Sequence, residues 1–103
     1  MKDIIKSIDP NIIYFTHSRI SYKFTGCNKT INQTFNEILI NPKIINDIPL
    51  ILVEFDGDKY YSTNNRRLYL FKLLNLNLIN VRLRFVSKSK YSNKTFSLYA
   101  KIK

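Results

Sequence analysis

The stretch that most constrains this chain is residues 48–74, IPLILVEFDGDKYYSTNNRRLYLFKLL, because its pattern changes from strand to turn to strand to helix. Leu50 to Phe55 is a nearly unbroken apolar run, suited to a buried strand. Asp56-Gly57-Asp58 supplies the turn chemistry of a hairpin, with Gly57 free to take positive φ. Lys59-Tyr60-Tyr61-Ser62 carries the aromatics of the return strand. Thr63-Asn64 offers an N-cap, and Leu68, Leu70, Phe71 and Leu74 give the following helix its apolar face.

The start of that helix is chemically distinctive. Backbone N–H groups there lack intrahelical partners and attract anions, and Arg66 and Arg67 add guanidinium donors in the first turn. The arginines also break a local rule, since the positive end of a helix dipole prefers Asp or Glu. Two arginines are unfavourable there unless an anion sits between them and the backbone. The alternative is that they are solvated, or that one pairs with Glu54 or Asp56, and surface pairs of that kind contribute little.

The rest of the chain reads as α+β. Ile12 to Phe15 is a short apolar strand after Asp9-Pro10. Asn28 to Ile40 is a helix with Ile31, Phe35, Ile38 and Leu39 on one face, capped by Asn28 or Thr30 and ended by Asn41-Pro42. Lys43 to Asp47 is a short turn, and Asn75-Leu76-Asn77 a helix end in which asparagine tolerates left-handed backbone. Leu78 to Val86 alternates, Ile79, Val81, Leu83 and Phe85 facing one way and Asn80, Arg82 and Arg84 the other. Ser87 to Asn93 is a basic connection. Thr95 to Ile102 is a last strand, with Phe96, Leu98, Ala100 and Ile102 inward, and it is placed to pair with residues 78–86 as a hairpin.

Charge is distributed unevenly along the sequence. The net charge is +10, from 17 Lys+Arg against 7 Asp+Glu, and every acidic residue lies at or before Asp58. The basic half is a footprint for a polyanion, with Arg82, Arg84, Lys88, Lys90 and Lys94 as candidate nucleic-acid contacts. Interleaved Tyr69, Phe85, Tyr91, Phe96 and Tyr99 suit base stacking where exposed; where they pack the core, the lysines simply solvate a tail.

The central segment resembles ParB-like domains of the ParB/sulfiredoxin superfamily. The matching residues are Ile48, Pro49, Leu50, Val53, Asp56, Gly57, Tyr60, Tyr61, Ser62, Asn64, Asn65, Arg66, Arg67 and Leu68, with Phe15 to Phe24 similar to an element upstream of the family's first helix. The resemblance covers residues 10–86 and implies a small mixed sheet with a helix starting at the NNRR motif. It also implies phosphate binding by Asn64, Asn65, Arg66 and Arg67, and brings the loop carrying His17, Ser18 and Arg19 toward Arg66, where Ser18, Arg19 and Ser21 are expected to add hydroxyl and guanidinium contacts to the phosphate. Sulfiredoxins place a catalytic cysteine in a GGCHR-like turn at this point; here Asn65 stands there and Cys27, the single cysteine, lies elsewhere. ParB proteins that hydrolyse CTP carry a GERR-like turn, and Asn65 replaces its carboxylate, which argues against hydrolysis while leaving phosphate binding intact.

The expected organisation is one domain over residues 1–103, with a core at 10–86 and a basic strand at 95–102. No apolar stretch is long enough to span a bilayer, MKDIIKSIDP lacks a signal-peptide core, and one cysteine excludes an intramolecular disulfide. An intracellular setting, cytoplasm or nucleus, is therefore expected, with no cofactor and no metal. The frequent Asn, Ile and Lys read as the codon bias of an AT-rich genome such as that of a protist or large DNA virus. His17 is the default general acid or base by its intrinsic pKa, set against the alternative of simple exposure. Three functions remain open: a module binding nucleic acid or a nucleotide, a nuclease-like or phosphotransfer enzyme using His17 and the arginines, and a protein-interaction domain without a ligand. Glu54 and Asp56 are the nearest thing to a metal pair, and turn-flanking roles suit them better. An exposed edge strand offers a route to a homodimer.

Overall fold

The hairpin and helix form where residues 48–74 place them. The structure, a computed structural model, describes residues 3–17, 19–21, 29–91 and 96–102. In chain order its strands and helices are β1 (Ile4–Ile8), β2 (Ile13–Tyr14), β3 (Arg19–Ile20), α1 (Ile31–Ile40), β4 (Leu52–Phe55), β5 (Tyr60–Ser62), α2 (Asn65–Leu73), β6 (Ile79–Phe85) and β7 (Lys101–Ile102). Short 3₁₀ turns lie at Pro10–Ile12, Pro42–Asp47 and Lys88–Lys90. Five strands make one mixed sheet in the order β1-β6-β4-β5-β2, and β3 and β7 form a separate parallel pair.

Local chemistry explains the boundaries. Gly57 turns the β4–β5 hairpin at φ 94°, and Asp56 Oδ1 accepts from the backbone N–H groups of Asp58 and Lys59 at 2.9 and 2.8 Å. Asn75 at φ 54° provides the left-handed residue just after α2. Helix α1 starts at Ile31, where Thr30 and Gln33 form a reciprocal capping box: Gln33 N–H donates to Thr30 Oγ1 at 3.1 Å and Thr30 N–H to Gln33 Oε1 at 2.7 Å. Asn28, the other expected cap, lies outside the described residues.

Two cores result. Ile13, Phe15, Val53, Val81 and Leu83 of the sheet side pack with Leu68 and Phe71 of α2, while Ile20, Ile31, Ile38 and Leu70 form a second cluster joining α1 to α2. Leu39 does not share the face expected of it; it is 61% exposed, because it sits 100° round the helix from buried Ile38. The alternation of β6 holds, with Ile79, Val81 and Leu83 buried, though Phe85 at the strand's end is 46% exposed.

The expected hairpin between residues 78–86 and 95–102 does not form. Both sides of β6 are occupied, by β4 in parallel register and by β1 in antiparallel register, Ile4 opposite Leu83 through Ile8 opposite Ile79. The returning chain runs instead across Phe15, which bridges to Ser97, and ends in a two-residue parallel pairing with β3. The long last strand is thus reduced to Lys101–Ile102 among the described residues.

The second face of the sheet is polar and aromatic. Register puts Arg82 beside Leu52, Arg84 beside Glu54, Glu54 beside Tyr61 and Tyr61 beside Tyr14. Tyr91 stacks on Tyr61 with ring centroids 4.0 Å apart, and Phe96 meets both edge-on at 5.6 Å.

Candidate functional site

Helix α2 begins at a tightly tied corner. Asn64 caps it, its Oδ1 accepting from Arg67 N–H at 3.4 Å, and Asn64 N–H donates to the fully buried Ser62 hydroxyl at 2.9 Å. Asn65 is buried and turns its amide toward the loop after β2. Thr16 N–H donates to Asn65 Oδ1 and Asn65 Nδ2 donates to Thr16 Oγ1, both at 2.9 Å, while Thr16 Oγ1 donates to the Ser62 carbonyl at 2.9 Å. These three bonds fasten the loop to the helix start.

Their consequence is a polar cleft of about 340 Å³ lined by His17, Arg19 and Ser21 from one side and Asn64, Asn65 and Arg66 from the other. His17 and Arg19 are exposed, and Arg66 and Arg67 are half-buried. Arg67 does not line the cleft; its backbone N–H is held by the cap. Ser18 lies outside the described residues. Thr16 is the residue that sequence reasoning missed here. Its position next to His17 was the available signal, but nothing in a sequence tells which way the Asn65 amide turns. The ensemble offers two guanidinium-bearing side chains, an imidazole and a helix N-terminus around one opening, which is chemistry for an oxyanion.

The basic strand face is arranged differently. Asp3 bridges Arg82 Nη2 at 2.9 Å and Arg84 Nε at 3.0 Å. The Arg84 hydrogen bond holds the Asp3 carboxyl below its usual range despite partial desolvation, and the same bond raises Arg84. Lys90 Nζ meets the buried Glu54 carboxylate at 2.7 Å, and Tyr91 donates a short hydrogen bond to it. Burial pushes Glu54 up, yet Lys90 and Tyr91 outweigh it and its pKa is lowered; burial and Glu54 together raise Tyr91. Arg82, Arg84 and Lys90 therefore each carry an intramolecular carboxylate supplied by the acidic half of the chain. Lys88 is exposed in the Lys88–Lys90 turn, and Lys94 lies outside the described residues. Glu54 and Asp56 serve the ion pair and the turn, and among the described residues no group of three His, Cys, Asp or Glu gathers as a metal site.

No family model matches the sequence, and neither does any curated protein. Among solved structures the chain is similar to the crystal structure of sulfiredoxin from Arabidopsis thaliana, at 18% identity and a TM-score of 0.57, over 87% of this chain and 94% of that one. The fold is accordingly a small α+β, sulfiredoxin-like fold. No helix among the described residues is long and apolar enough to cross a membrane.

Proposed function

We propose that this chain is a ParB-like phosphate-binding domain that engages nucleic acid or a nucleotide at the start of α2. The observation that carries the reading is the convergence of His17, Arg19 and Arg66 on one polar cleft at the N-terminus of a helix. In this reading Arg19 and Arg66 hold the phosphate, Asn64 shapes the helix start, and Asn65 acts by holding Thr16 in place. Lys88, with Arg82, Arg84 and Lys90 behind their carboxylates, extends the field toward a longer polyanion, and Lys94 adds to the positive charge of the same half of the sequence. The ligand class is thus a phosphate ester carried on a nucleotide or on a nucleic-acid backbone.

The presence of His17 in the same cleft supports a second reading, a nuclease-like or phosphotransfer enzyme in which the imidazole moves a proton at the bound phosphate. Binding titrations in a salt series separate these readings. Short single- and double-stranded DNA and RNA, CTP and ATP are the probes, against wild type and an Arg66→Ala/Arg67→Ala variant. The expected result is binding that weakens with salt and falls at least about tenfold in the variant. Unchanged binding in the variant moves the polyanion site to the basic strands, and no binding at low salt leaves a protein-interaction domain. Turnover of an oligonucleotide that disappears in His17→Ala selects the enzyme.

A further inference from the structure

Lys72 occupies a second cleft that shares no residue with the first. The cavity, about 490 Å³, opens between the last turn of α2, the Pro10–Ile12 turn and the returning segment around Leu98–Ala100. Its volume falls within the range of small-molecule sites. Lys72 Nζ donates to the carbonyls of Ile13 and Leu98, both at 2.7 Å, and lies 4.7 Å from the centre of the Phe15 ring.

The ammonium has three N–H groups, and the two carbonyls use two of them. Carbonyl dipoles and an aromatic face attract a cation but do not neutralise it. Among the described residues no carboxylate pairs with Lys72. The acid that acts on it most is Asp9, whose Oδ1 accepts from Asn11 N–H at 2.9 Å. A partly buried cation without a counter-ion is penalised, and burial accordingly draws the Lys72 pKa down to about 8.

An anion entering the cavity would remove that deficit, and the walls say what kind. Leu73, Leu98 and Tyr99 offer apolar and aromatic surface, with the Asn11 and Asn75 amides beside them. One cation among such walls matches the single charge of a carboxylate on an apolar body, whereas a phosphate monoester would set about two negative charges against one ammonium. We propose that this cleft binds a small organic monocarboxylate, its charge paired with Lys72 and its body packed on Leu73, Leu98 and Tyr99.

Phenylacetate is the probe, with phenylacetamide as its neutral isostere, followed by NMR of the whole chain. Phenylacetate is expected to shift Lys72, Asn75, Tyr99 and Ala100 saturably, and to bind at least about tenfold tighter than the amide. By linkage the Lys72 pKa then rises by about one unit at saturation. Lys72→Met removes the preference for the acid. Should that variant fail to fold, the wild-type pKa titration decides alone. Equal binding of acid and amide, an unmoved Lys72 pKa, shifts confined to His17 and Arg66, or no saturable shift would each overturn the proposal. The helix-start reading survives any of them.

Discussion

Replacing Asn65 by alanine tests the idea that this side chain organises the cleft by holding its loop. The substitution removes two hydrogen bonds to Thr16, each contributing about 1 kcal/mol net. It also strands the part-buried Thr16 N–H, which adds roughly another 1 kcal/mol. Alanine returns about 0.5 kcal/mol through its better helix propensity, so the expected destabilisation is about 2.5 kcal/mol. At this chain length that lowers Tm by roughly 10–20 °C. Urea denaturation should give a lower midpoint at unchanged slope, with weaker binding of nucleotide or oligonucleotide because His17 and Arg19 lose their anchor. Asn65→Asp keeps the acceptor for Thr16 N–H and is expected to lose less stability, yet its negative charge beside Arg66 should depress anion binding further. A loss under about 0.5 kcal/mol in Asn65→Ala, the range of ordinary surface changes, refutes the reasoning.

Glu54→Gln addresses acid stability. The folded pKa of Glu54 lies below its ordinary value of 4.5, so its contribution is present above that value and disappears as pH falls through the lowered one. Denaturation curves from neutral pH downward should therefore fall less steeply in the variant than in wild type. Asp3→Asn releases Arg82 and Arg84, and should lengthen retention on immobilised heparin and steepen the salt dependence of nucleic-acid binding. Retention equal to wild type would show that these arginines face no polyanion. Leu68→Ala, at a fully buried position between α2 and the sheet, should cost about 2–5 kcal/mol in the same urea assay.

How much of this was legible in the sequence depended on how local each signal was. The hairpin, the Asn64 cap, Gly57 and Asn75 are set within a few residues, and the chain takes those conformations where its sequence calls for them. Strand β1 was not legible because Ile4, Ile5, Lys6 and Ser7 are all exposed, so IIKSI has no clean alternation to read. The final segment alternates like a strand, but whether it gains a partner depended on an edge of β6 that β1 had already taken. Charge misled in a related way. The basic half looks unopposed along the chain, whereas folding carries Asp3 and Glu54 across to Arg82, Arg84 and Lys90. Lys72 passed as one more surface cation, since its burial arises only when β2 and the Leu98 carbonyl close over it.

The β1–β6 ladder also sets an order of events. Ser7 bonds to Asn80 across 73 positions of chain, so this edge of the sheet closes only after nearly everything between has been made. The β4–β5 hairpin and α2 are local and quick to form; the β1–β6 ladder must first close a long loop. On the ribosome, β1 emerges well before β6 and therefore waits for the partner that gives it its place. Until the two pair, β6 displays an open row of backbone donors and acceptors, and that interval is when the chain is most exposed to mispairing with its neighbours.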